Sequence, residues 1–277
     1  MPISEQDQPR GTWRWALASC AFFVLTATAN AQAKEIKIGG TGASLGTMQL
    51  LAQAYAKAAP SETKIVVLPS MGSGGGIKAM LAGAIQIGVS ARPLSEAESK
   101  AGAVAFEYGR TPFVFATGVA NTTAAITTQN VVDFYSGTVD QWPDGSKLRL
   151  VLRRVGDTDT KSMPEAMRAA KSVAERRKGM VLASTDQDMA TSIERIPGAL
   201  GPSTLALLLS EKRALKALAL DGVVPSAQTL ANGSYPLYKE LLLVTGPKTP
   251  PEARAFVTFV GSAAGRKVLE QTGYWVK

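Results

Sequence analysis

The sequence predicts an α/β layer fold with mostly parallel strands, and three observations carry that expectation. Between Glu35 and Glu98 a β-like run, a turn of small residues and an apolar helical pattern follow one another three times. Small polar residues gather where those strands end, the usual ligand position in open α/β sheets. No low-complexity linker and no internal repeat interrupts the remainder, so two lobes joined by ordered crossing strands fit better than two independent units.

Residues 1–33 read as an export signal. Arg10 and Arg14 supply positive charge, Ala16–Ala27 is an apolar core too short to span a bilayer comfortably, and Ala31-Gln32-Ala33 offers a small-x-small cleavage site. Leu17-Ala18-Ser19-Cys20 resembles a lipoprotein cleavage box, but the longest apolar run follows Cys20. Cleavage after Ala33 is therefore expected, with lipid attachment at Cys20 or a retained anchor as the alternatives. Residues 1–33 hold two basic and two acidic residues, so cleavage leaves the net charge at +8, and it removes the single cysteine. A chain without cysteine makes no disulfide and tolerates an oxidising compartment.

Glu35–Gly40 reads as a first strand, and Gly40-Thr41-Gly42-Ala43-Ser44 as a glycine turn with hydroxyls. Leu45, Met48, Leu51, Ala52 and Tyr55 have the spacing of a buried helix face that Thr41 or Ser44 could cap. A second strand, Lys64–Leu68, leads into Met71-Gly72-Ser73-Gly74-Gly75-Gly76-Ile77-Lys78, read as a glycine-rich turn before a helix. Backbone N–H groups at such a helix start can hold an anion without any basic side chain. The same glycines also suit a tight turn that binds nothing. The stretch is not a Walker loop, because Ile77 precedes Lys78 and Ala79 follows it. Ile85–Ser90 is a third strand, ended by Ala91-Arg92-Pro93-Leu94, and Ser95-Glu96-Ala97-Glu98 opens another helix.

Val104–Glu107 and Pro112–Thr117 look like two strands in a crossing region. Leu148–Leu152 alternates as a strand and leads into Arg153 through Thr160. A helix follows Pro164, Met180–Ala183 is a strand, and Asp186–Ile196 is an amphipathic helix closed by Pro197-Gly198. Ala214–Leu220 could be strand or helix. Tyr238–Thr245 is a strong strand, Pro250-Pro251-Glu252 opens a helix, and Gly273–Val276 reads as a terminal plug.

Composition narrows the function classes. The chain has no histidine, which excludes His-based acid–base chemistry and His metal ligands. Ser44 and Ser73 lack an activating partner, so no enzyme is expected. Asp157, Asp159 and Asp186 lack a metal-ligand spacing, and neither metal nor cofactor is expected. The basic excess shows no patch with interleaved aromatics, so nucleic acid is not expected either. A field that attracts small anions suits the charge better.

In order and spacing these pieces resemble one family, the PstS-like substrate-binding proteins of ABC phosphate importers, of the type II periplasmic binding class. The likeness runs through Gly40–Ser44, Met71–Lys78, Gly88-Val89-Ser90, Arg154–Thr160, Tyr235-Pro236-Leu237 and the Gly273-Tyr274 ending. It implies a two-lobed fold closing on an oxyanion in the cleft, with lobe 1 at 34–113 plus 241–277 and lobe 2 at 114–240. It also implies a monomer in the periplasm that binds inorganic phosphate or a related oxyanion and hands it to an ABC permease in the inner membrane. By resemblance the ligand-binding positions are Ser44, Leu45, Ser73, Gly74, Gly75, Arg154, Thr158, Asp159 and Thr160. Two departures bear on specificity. Ala91, followed by Arg92, stands where phosphate-specific members place an aspartate, and Asp159 stands where they have a glycine. Asp159 either takes over the acceptor role, balanced by Arg92 or Arg154, or points into solvent. These departures favour the alternative of an exported scaffold or sensory subunit that kept the fold and lost transport-grade binding.

Overall fold

The computed structural model describes residues 34–58, 63–153, 157–176 and 180–276. The export-signal stretch, with Cys20 and Ala33, lies outside the described residues, and so does Arg154. No helix among the described residues is long and apolar enough to cross a membrane.

The strands are β1 (Glu35–Gly40), β2 (Lys64–Val67), β3 (Ile87–Ser90), β4 (Val104–Gly118), β5 (Ala125–Ile126), β6 (Arg149–Arg153), β7 (Val181–Ala183), β8 (Ala199–Thr204), β9 (Leu215–Ala217), β10 (Ala219–Leu220) and β11 (Tyr238–Thr245). The helices are α1 (Leu45–Ala58), α2 (Gly72–Ala82), α3 (Glu96–Lys100), α4 (Thr128–Ser136), α5 (Glu165–Glu175), α6 (Asp186–Arg195), α7 (Leu205–Ser210), α8 (Ala227–Ala231), α9 (Pro251–Val260) and α10 (Ala263–Gln271). One continuous sheet runs β2-β1-β3-β11-β4-β8-β6-β7, with β9 also paired to β4, and β5 pairs β10 separately.

The repeated strand–turn–helix pattern does what a parallel crossover requires. β1 pairs β2 and β3 in parallel, with Ile38 opposite both Val67 and Ile87. β11 then enters antiparallel between β3 and β4. β4 is a single strand of 15 residues, not the two that the polar stretch around Glu107–Arg110 suggests. Its first half pairs β11 and its second half pairs β8 and β9. The register shifts between Leu241, opposite Gly109, and Leu242, opposite Glu107, so Tyr108 is bypassed as a bulge.

Two large apolar clusters sit on either side of this crossing. One gathers Ile38, Met48, Leu51, Val89, Phe256 and Leu269 around the parallel strands. The other gathers Phe113, Phe115, Tyr135, Trp142, Leu152 and Met167 beneath α4 and α5. Burial of such side chains is the main force holding each half together.

The glycine-rich stretch differs from its expected form. Helix α2 begins at Gly72, so Ser73 through Gly76 lie inside its first turns and not in a loop. The reason is proximity. A Cβ on Gly76 would lie 2.6 Å from the Gly40 Cα and 2.7 Å from the Gly39 carbonyl oxygen. The helix can pack onto the end of β1 only where both partners lack a side chain. Ala214–Leu220, open between strand and helix, forms β9 and β10.

Candidate functional site

β1 ends at Gly40, whose φ of +151° and approach to the Val89 carbonyl leave no room for a side chain. The Thr41 N–H then donates to Val89 O at 2.9 Å, which fixes the turn against β3. Gly42–Ser44 form one 3-10 turn before α1, with no side-chain cap from Thr41. Ser44 is fully buried and its hydroxyl faces those of Tyr108 and Tyr274, whose rings lie 5.7 Å apart. Burial pushes the Tyr274 phenol up to about 12 and raises Tyr108 well above the ordinary tyrosine range, so both stay neutral. Leu45 is buried at the start of α1.

Ser73 is buried, and its Oγ accepts the Ala91 N–H at 3.0 Å, clipping α2 to the end of β3. Gly74 is exposed and Gly75 half-buried on the same turn of helix. Arg92 does not reach Asp159. It pairs with Glu98 through two hydrogen bonds, in the turn that begins α3.

The segment after β6 holds the densest group of buried charge. The side chain of Asp157 accepts the Asp159 N–H at 2.9 Å and caps the 3-10 turn Thr158–Ser162. Arg153 ends β6 buried, with Nε and Nη2 donating to Asp157 Oδ2 at 3.1 and 2.5 Å. Thr158 and Thr160 are half-buried beside it. Asp159 is 1% exposed and points inward, onto the ammonium of Lys239. Lys239, on β11, is 3% exposed and also lies 3.7 Å from Asp186 Oδ1 at the start of α6. Asp186 Oδ2 in turn would lie 2.8 Å from a Cβ on Gly42. Next to it Gln187 Nε2 donates to the Gly42 carbonyl at 2.9 Å. The first glycine turn, the segment after β6, α6 and β11 thus converge on two cations and three carboxylates. An open cleft of about 790 Å³ continues outward from Leu45, Ser70 and Gln187.

Burial raises the Asp159 carboxyl to about 6, and Asp157 and Asp186 push it the same way against the pull of Lys239 and Arg153. Burial would lower the Lys239 ammonium, but Asp159, Asp186 and Asp157 outweigh it and hold the group above an ordinary lysine. Asp157 also suffers burial, yet the Arg153 guanidinium bonded to it brings it below the usual range. With carboxylates in excess, Asp159 is the member that gives way to a proton.

No ligand role follows from the sequence for Arg153, Asp186 or Lys239. Lys239 carried a signal: it shares strand parity with Leu241 and Leu243, both fully buried, so it stands on the buried face of β11.

Comparison with known proteins places the architecture. The family model described as a PBP superfamily domain matches residues 25–264. The phosphate-binding protein PstS of Borreliella burgdorferi is 21% identical over 253 residues, covering 87% of this chain and 89% of that protein. A substrate-binding protein with bound phosphate from Clostridium perfringens superposes with a TM-score of 0.72 at 20% identity, covering 88% of this chain and 99% of that one. The periplasmic molybdate-binding protein of Azotobacter vinelandii superposes with a TM-score of 0.63 at 16% identity, covering 87% of this chain and 99% of that one. The curled mixed sheet and its flanking helices are therefore those of type II periplasmic binding proteins, and the chain belongs to the PBP superfamily.

Proposed function

We propose that the protein captures a small oxyanion, with phosphate as the first candidate, and delivers it to an ABC permease in the inner membrane. The anion is held between lobe 1 (34–113 with 241–277) and lobe 2 (114–240), by binding and closure without covalent chemistry. The observation that carries this reading is the convergence just described. The Gly42 turn from one half meets α6 and the segment after β6 from the other, around buried cations Arg153 and Lys239. Buried cations beside hydrogen-bond donors suit charge-assisted bonds to anion oxygens. Ser73, Thr158 and Thr160 supply hydroxyls, and Arg154 supplies a further guanidinium. The PstS relative supports phosphate, whereas the molybdate-binding neighbour has the same fold and a different anion. We assign the mature protein to the periplasm as a monomer, after cleavage at Ala33.

Titration calorimetry against phosphate, arsenate, sulfate, molybdate and phosphonates tests the reading. One anion should bind at one site per chain. No heat and no thermal shift with any of them would leave the exported scaffold or sensory subunit as the better account.

A further inference from the structure

The oxyanion reading leaves one feature unexplained. The cations best placed to meet an anion are already matched by carboxylates. Lys239 and Arg153 carry two positive charges, while Asp157, Asp159 and Asp186 carry three negative ones, and all of the group but the half-buried Asp157 is buried. An anion that entered this arrangement unchanged would meet net repulsion at low local dielectric.

We infer that Lys239 is a ligand-contacting residue of the cleft and that Asp159 gives it up when an anion enters.

Three observations outside the charge count support this. First, Lys239 projects from β11 at the crossing of the two halves, opposite Thr111 of β4, so both halves can act on it. Its ammonium lies between Asp159, from the segment after β6, and Asp186, from α6. Second, Asp186 stands between Lys239 and the Gly42 turn, close enough that a side chain on Gly42 would collide with it. A small shift of α6 therefore opens a path from that turn to the ammonium. Third, Arg153 Nη1 is buried without a hydrogen-bond partner among the described residues, while Nε and Nη2 are engaged by Asp157. A buried unpaired guanidinium N–H is costly unless an acceptor arrives, and an anion oxygen beside Lys239 is such an acceptor.

Release of Lys239 needs somewhere for the charge of Asp159 to go. The groups facing Asp159 are Lys239 from β11, Arg153 from β6, Asp157 from its own turn, Asp186 from α6 and Tyr135 from α4. Tyr135 is held neutral by burial and by the nearby carboxylate, so it supplies no charge. Proton uptake by Asp159 brings the remaining side chains to two cations and two carboxylates, and the anion takes the place of the lost carboxylate. Anion capture is thereby coupled to uptake of a proton from solvent.

The inference rests on the oxyanion reading, and its test separates the two. Calorimetry with phosphate and with molybdate at pH 7.5, repeated in two buffers of unlike ionisation enthalpy, gives affinity and net protons bound. Lys239→Gln should lower affinity by about 100-fold or more, and Lys239→Arg should stay within about tenfold of wild type. Asp159→Asn should bind about fivefold or more tighter than wild type and lose the proton uptake. A merely structural Lys239 predicts the opposite for Asp159→Asn, because removing its partner would weaken the site. Should Lys239→Gln fail to fold, the double variant Lys239→Gln with Asp159→Asn removes both charges, and tight binding by it would overturn the inference. Wild-type binding unaffected by Lys239→Gln, or an Asp159→Asn protein that binds no tighter, overturns it alone. A wild-type protein that binds neither anion overturns the oxyanion reading as well.

Discussion

Arg92 and Glu98 face each other across the turn that begins α3, with Nη1 to Oε2 at 2.9 Å and Nη2 to Oε1 at 2.7 Å. Glu98 also accepts the Ser95 N–H as part of a capping box, so the arginine is tied to a helix start and not to a cleft carboxylate. Arg92→Ala should therefore leave anion affinity within about tenfold of wild type and cost about 0.5–1 kcal/mol of stability. The Arg92 bond holds Glu98 down from 4.5 to about 2, so that stabilisation is present above pH 4.5 and is lost as pH falls towards 2. Acid melts of wild type and variant should converge in that window.

Arg154→Ala should lower anion affinity by about 30-fold or more, in contrast to Arg92→Ala. Dissociation constants measured at one pH and one salt concentration decide the order. A larger loss from Arg92→Ala would refute the assignment of Arg154.

Asp159 makes a separate contribution to stability against pH. Its carboxyl is raised from 3.8 to about 6 in the folded protein. Between those values the folded state holds a proton that the unfolded chain has released. Stability from this group is thus fully present below pH 3.8 and is lost as pH rises through about 6, by on the order of 3 kcal/mol. Asp157 and Glu98 slope the other way, so the measurement is the difference between wild type and Asp159→Asn at each pH. A difference that stays flat from pH 4 to pH 7 would contradict the assignment.

Gly76→Ala tests the contact between α2 and β1. The added methyl would press on the Gly40 Cα and the Gly39 carbonyl, which are backbone and cannot rotate away. A loss of about 2–3 kcal/mol in urea unfolding is expected. Gly74→Ala, whose Cβ would lie 3.7 Å from Arg92 Nη2, should be nearly neutral or slightly stabilising in the same assay.

Export predicts a processed N-terminus. Intact-mass measurement of the protein from its native envelope should show a chain beginning at Lys34. A lipid adduct on Cys20 or an unprocessed Met1 would contradict it.

The parallel strands and their helices were legible because hydrophobic period changes cleanly there, from the alternation of Glu35–Gly40 to the spacing of Leu45, Met48 and Leu51. β4 was not legible as one strand. Glu107 and Arg110 pair with each other, and the bulge at Tyr108 breaks the alternation just where the strand leaves one core for the other. The glycines of α2 looked like a loop because helix propensity argues against them, and only the packing of Gly76 on Gly40 explains their presence. At the site, the Asp157–Thr160 segment could be found from its pattern, but its partners could not. Asp159 meets Lys239 across 80 residues of chain, a pairing that local periodicity does not encode. That Arg153 turns inward onto Asp157 is set by the register of β6, which local pattern does not reveal.

The position of β11 between β3 and β4 has a consequence for biosynthesis. Both neighbours leave the ribosome long before Tyr238 does, yet neither can complete its hydrogen-bond ladder until the final strand slots between them. Leu242 and Leu243 must reach Ser90 and Val89 on one side and Glu107 and Phe106 on the other, so closing the sheet waits for nearly the whole polypeptide. A nascent chain of this design cannot lock into its final form prematurely. A chain truncated before Tyr238 would carry two open β edges exposed to aggregation.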